Sequence, residues 1–166
     1  MAPVSEPINR VLVLGLGNDI LTDDAVGLQV VRGLCGHVRD LPGVDVQETT
    51  EMGLALLDFV VGYDDLVLVD SVHTGKFPPG YLHELGDEEL KTMPVMAPHF
   101  FGVGETLALG RKLGMKVPER ARVLAVEVAD PFTVSTEMTP ALQAALPRLV
   151  ERVLEMLRDL GRQPMA

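Results

Sequence analysis

The sequence predicts an α/β fold, a three-layer α/β/α sandwich around a mostly parallel twisted sheet with helices on both faces. Two observations carry this reading. Continuous apolar runs of strand length, VLVL at 11–14 and LVLV at 66–69, look like strands buried on both faces. Between them, and again toward the C-terminus, lie segments whose apolar residues recur at helical spacing, and strands alternating with helices favour parallel sheets covered on both sides.

The elements follow in order. Val11 to Leu14 forms the first strand and runs into Gly15 and Gly17. Ala25 to Leu34 reads as a helix with Val26, Val30 and Leu34 on one stripe, and Asp23 or Asp24 near its N-cap. Val44 to Gln47 is a short alternating strand, and Gly53 to Val61 a second helix. Leu66 to Val69 is the next buried strand and ends at Asp70. The turn TGKFPPG at 74–80 precedes an edge strand or hairpin arm from Tyr81 to Leu85. A helix is expected from near His99 to about Lys112, a strand from Arg122 to Val128, and a long amphipathic helix from Pro140 to Leu160 that Pro147 should kink or divide.

A chain of 166 residues, 47% of them hydrophobic, suits a single globular domain spanning 1–166. Its formal charge of -10 argues against nucleic acid, which needs a basic face, and against an anionic membrane surface. The lone Cys35 excludes an intramolecular disulfide and reads as a small buried hydrophobe. The opening MAPVSEPINR lacks a basic-then-apolar leader and no 18-residue apolar run follows, so a cytoplasmic location is expected.

In such a sheet, ligands bind outside the carboxyl ends of the strands. Polar clusters fall there at Asn18 to Asp24 and at Asp70 to His73; Met96-Ala97-Pro98-His99, opening a helix, is a third candidate. If the three share an edge, Asp24, Asp70 and His99 form an O,O,N set for a divalent ion with open positions, and ligand type alone does not choose among Zn, Ni, Mn and Fe. The plainer alternatives are an N-cap for Asp23 or Asp24 and a surface or core role for His99, His73 and His83. Other chemistries fail. Ile20 stands where a dinucleotide loop wants its third glycine, His83-Glu84 lacks the second histidine of H-E-x-x-H because position 87 is Asp, and no G-x-S-x-G or Walker A occurs.

VLGLGNDILTDDAVG, with Gly15, Gly17, Asn18, Asp23, Asp24, Ala25 and Gly27, resembles the first motif of the hydrogenase maturation proteases, the endopeptidases that trim nickel-iron hydrogenase large subunits. VLVDSV with Asp70 and APHFFGVGETL with His99 match the family's second and third signatures, in order, within a resemblance running from about residue 10 to 160. The resemblance implies an aspartic-type endopeptidase activity that removes the C-terminal extension of the large-subunit precursor after nickel insertion. It carries over Asp24, Asp70 and His99 as the nickel-contacting residues, with the nickel supplied largely by the precursor. Asp23, Asp24 and Asp70 are the expected catalytic carboxylates, Asp23 being the leading candidate for a proton acceptor.

The implied partner is that precursor, with no nucleic acid and no membrane; the oligomeric state stays open, a monomer being favoured. Departures from the family pattern are Glu48-Thr49-Thr50-Glu51-Met52-Gly53, where many members carry an aspartate and glycines, and Asp24 where many carry glutamate. The first suggests a specificity loop. His73, outside the pattern, is a possible accessory ligand. The alternative reading is a chaperone or sensor that binds the nickel site of the precursor without cutting it. Peptidyl-tRNA hydrolases share GLGN but add a T-R-H-N stretch and a basic groove, and a nucleotide-binding module remains the simplest other use of the glycines.

Overall fold

The structure, a computed structural model, describes residues 7–86, 88, 89 and 102–162. Five strands form one sheet: β1 (Val11–Leu16), β2 (Val44–Thr49), β3 (Asp65–Val72), β4 (Leu82–Leu85) and β5 (Arg120–Glu127), in the order β2-β1-β3-β5-β4. All neighbours are parallel except β4, which runs antiparallel to β5 at the edge. Helices whose bounds fall among the described residues include α1 (Val26–Leu34), the short α2 (Leu57–Val60), α3 (Val103–Lys112) and α4 (Pro140–Arg162).

Alternation along the buried strands sorts the core into two layers. Val11, Val13, Val67, Val69, Leu124 and Val126 pack with residues of α1 and α4, among them Val30, Leu34, Leu149 and Val153. Leu12, Leu14, Leu66, Leu68, Val123 and Ala125 pack on the other face with Leu56, Val60, Val103 and Leu107. Each fully buried aliphatic side chain contributes roughly 1.5–3 kcal/mol. The expected three-layer sandwich is therefore the fold.

Differences from expectation are local. α3 starts at Val103 behind Gly102, whose φ of 87° suits glycine, later than the expected start near His99. The expected helices at 25–34 and 53–61 each open with a tighter 3-10 turn, Thr22–Ala25 and Gly53–Leu56. Pro147 does not divide the last helix: α4 is continuous from Pro140 to Arg162. Pro147 and Gln143, whose carbonyl loses the helical donor, both lie on the exposed face, where water can serve that carbonyl. Cys35 is exposed, not buried, because it stands one residue beyond the apolar stripe of α1.

Candidate active site

The site is assembled by glycines. A Cβ on Gly27 would stand 2.2 Å from the Leu16 carbonyl oxygen and 2.4 Å from that of Val69, so only glycine lets α1 begin directly on the carboxyl ends of β1 and β3. A Cβ on Gly17, at φ 150°, would meet the Asp24 carbonyl oxygen at 2.2 Å. These close approaches fold residues 18–24 back over the end of the sheet. Thr22 sits in this turn with φ 33°, a strained value for a β-branched residue. It is held by its hydroxyl on the Thr133 carbonyl and by its N–H on that of Ser135.

Asp24 and Asp70 are brought together. Ser71 Oγ donates to Asp24 Oδ1 at 2.6 Å, and Ser71 N donates to Asp70 Oδ1 at 2.7 Å, so one residue fastens both carboxylates. Asp70 is 0% exposed, and its Oδ2 has no hydrogen-bond partner among the described residues. Burial pushes the Asp70 carboxyl well above the ordinary range; the Ser71 N–H opposes this, and the nearby charge of Asp24 adds to it. A buried acceptor without a donor costs about 1–3 kcal/mol, more when charged, and such groups mark functional sites. A cation brought to Oδ2 would satisfy it and relieve the repulsion from Asp24, so the chemistry of this pair is compatible with a cation.

Asp23 is placed differently. Its carboxylate is fully buried and accepts from Ala129 N, Asp130 N, Thr139 N and Thr139 Oγ1 at 2.7–3.1 Å. Neither Asp23 nor Asp24 caps a helix through its side chain. Asp23 therefore ties the loop at 129–139 to the turn that carries Asp24. His99 lies outside the described residues. His73 donates from Nδ1 to the Val128 carbonyl at 3.0 Å and packs edge-on to Phe132. In the loop that departs from the family pattern, Glu48 is held by Arg32 through two bonds of 2.7 and 2.8 Å.

Ser71 and Glu127 were missed from sequence. Ser71 follows Asp70 directly, and a hydroxyl beside a strand-end carboxylate was the available signal. Glu127 is 0% exposed at the end of β5. It accepts from Thr74 N, Thr74 Oγ1 and Gly75 N on Oε1, and from His83 Nε2 on Oε2 at 3.1 Å. Burial raises its pKa, but the bonds from Thr74, His83 and Gly75 outweigh this and hold it below the usual value. One acid inside RVLAVEV was its only mark.

Comparison with known proteins now decides the family. The family model described as HycI: Hydrogenase maturation protease matches residues 28–156, a span that includes Asp70 and His99 but begins after Asp24. The chain belongs to the hydrogenase maturation proteases. It is 29% identical over 154 residues to the hydrogenase 2 maturation protease of Escherichia coli strain K12, covering 92% of this chain and 93% of that protein. It is also 29% identical over 155 residues to the hydrogenase expression/formation protein HupD of Thiocapsa roseopersicina, 92% of this chain and 69% of that one. Among solved structures, the hydrogenase maturating endopeptidase HybD from E. coli superposes with a TM-score of 0.78 at 30% identity, over 92% of this chain and 94% of that one. This member is accordingly a hydrogenase maturation endopeptidase, a peptide-bond hydrolase. No helix among the described residues is long and apolar enough to cross a membrane.

Proposed function

We propose that this protease removes the C-terminal extension of a nickel-iron hydrogenase large-subunit precursor once nickel is in place, and that it recognises the nickel borne by that substrate through Asp24, Asp70 and His99. The single observation that carries the reading is Asp70 Oδ2, buried, without a donor among the described residues, and beside a second carboxylate. Such an oxygen is a poor structural element and a good ligand for an incoming cation.

In this reading the substrate's metal orients the segment to be cut and polarises the scissile carbonyl or a water. The cation offsets the repulsion that Asp24 exerts on Asp70 and so favours the charged form of Asp70. Ser71 keeps both carboxylates in position. Asp23 was the expected proton acceptor, but three backbone N–H groups and the Thr139 hydroxyl, shared between both oxygens, fill about the four lone-pair sites a carboxylate has. We therefore assign it to positioning Asp24 and the loop at 129–139. Glu48 and the residues after it lie on the same edge as β1 and β3 end, which suits the proposed role of that loop in choosing the precursor.

The test is incubation with nickel-loaded and nickel-free large-subunit precursor, with both products weighed by mass spectrometry. Loss of a C-terminal peptide only from the loaded precursor is the expected result. Binding of the loaded precursor without any cut would replace this reading with that of a non-cleaving chaperone.

A further inference from the structure

His83, assigned no role by the sequence, occupies a defined place relative to Asp70. In the sheet register, Asp70 on β3 and His83 on β4 both lie opposite Ala125 of β5. Ala125 shares a core layer with Leu66, Leu68 and Val123, so alternation puts Asp70, Glu127 and His83 on that same face. Two strand spacings separate Asp70 and His83, about 10 Å, and the side chain between them is a single methyl.

His83 is also fixed. Its Nε2 lies 3.1 Å from the buried Glu127 Oε2, so in the neutral ring the hydrogen sits on Nε2 and Nδ1 is an acceptor. Phe77 and Tyr81 stack at 4.5 Å, and the His83 ring stands edge-on to them at 4.8 and 4.9 Å. Phe77 and Tyr81 are 40% and 44% exposed. The turn that presents them is built for it. Tyr81 N bonds the Pro78 carbonyl, Gly80 has φ 89°, and Gly80 N and Tyr81 O both bond Glu127, the pattern of a glycine bulge at the sheet edge. Sheet formation alone does not require a fully buried carboxylate holding an imidazole, and removing such a charge from water costs several kcal/mol.

We propose that Phe77, Tyr81 and His83 form a binding subsite for the extended peptide segment of the precursor next to the scissile bond, with Glu127 as its positioning residue; this rests on the reading above. The neutral His83 ring accepts a peptide N–H at Nδ1, and the exposed parts of Phe77 and Tyr81 take an apolar or aromatic side chain. The occupant is a peptide because an endopeptidase acts on a polypeptide and this patch lies only two strand spacings, about 10 Å, from the proposed carboxylate site.

Steady-state cleavage of nickel-loaded precursor tests this with His83→Ala, His83→Gln, Phe77→Ala and Glu127→Gln, each checked for its melting temperature. His83→Ala and Phe77→Ala should each raise KM about tenfold and leave kcat within about twofold. His83→Gln, whose amide can donate to Glu127 and accept elsewhere, should recover most of the loss, and Glu127→Gln should raise KM by less than His83→Ala. Phe77 is partly exposed and outside the two core clusters, so its variant leaves the buried core intact. Wild-type cleavage with unchanged KM in both alanine variants would overturn the subsite alone. A wild type that leaves loaded precursor uncut would overturn the proposed function and the subsite with it.

Discussion

Asp65 and Asp70 stand five residues apart on β3, both buried, at opposite ends of the strand, and the protein treats them in opposite ways. Asp65 is saturated. Arg120 Nε and Nη2 donate to its two oxygens at 2.6 and 2.7 Å, and Asn9 Nδ2 adds a third bond at 2.7 Å. Asp65 holds the Arg120 guanidinium above its ordinary pKa. Among the described residues, Asp70 receives one N–H, from its own neighbour, and lies near another carboxylate. The amino end of the sheet is fastened by its charges. The carboxyl end holds a buried carboxylate oxygen that no described residue pairs, at a cost to the fold.

Breaking the saturated end should have the largest effect on stability. Asp65→Ala strips Arg120 and Asn9 of their shared acceptor, and we expect a loss of about 3 kcal/mol in urea unfolding, at the low end for a buried pair because Arg120 is partly exposed. Cleavage per folded molecule should stay at the wild-type level, since the change is at the far end of the strand. Loss of cleavage in fully folded Asp65→Ala would dissolve the contrast between the two ends.

Asp23 belongs with Asp65 in this comparison, although it lies beside Asp24 in sequence. In Asp23→Asn the amide must point at backbone N–H groups whichever way it turns, those of Ala129 and Asp130 or that of Thr139. A loss of roughly 2 kcal/mol is expected, read from the denaturant midpoint. Nickel-dependent binding of the precursor should weaken with it as the loop at 129–139 loosens. Full stability with a specific loss of kcat would return Asp23 to the role of proton acceptor.

The smallest effect is a pH dependence. Because the Asp70 carboxyl is raised in the folded protein, the unfolded chain ionises first as pH climbs past about 4. The unfolded state then holds fewer protons, so stability falls with rising pH until the folded carboxyl ionises too. Asp70→Asn lacks this fall. Unfolding midpoints of wild type and Asp70→Asn should coincide near pH 4 and separate above it, the variant being the more stable. Glu127 has the opposite sign: its lowered pKa stabilises above the ordinary glutamate value and is lost as pH drops through the folded value.

The same contrast shows what a sequence discloses. The apolar runs and glycines made the sheet, its layers and the carboxyl edge legible, with Asp24 and Asp70 placed on that edge, because strand-end acids after glycines are local features. The role of Asp23 was not, because its partners are 106 to 116 residues away. Glu127 passed as one polar residue in an apolar strand, and its link to His83 depends on a register that only the assembled sheet provides. The N-cap alternative for the aspartates failed because a 3-10 turn intervenes and Ala25 takes the capping position. Pro147 leaves α4 undivided because the rule against proline weakens when the freed carbonyl faces water.

The central claim is that Asp70 is kept for substrate at the expense of the fold, and the most direct test is Asp70→Asn measured two ways on one preparation at pH 8. Thermal unfolding and cleavage of nickel-loaded precursor would be read side by side. The account predicts a higher melting temperature than wild type and no detectable cleavage. A lower melting temperature with cleavage retained would show Asp70 to be a structural carboxylate like Asp65, and would contradict it.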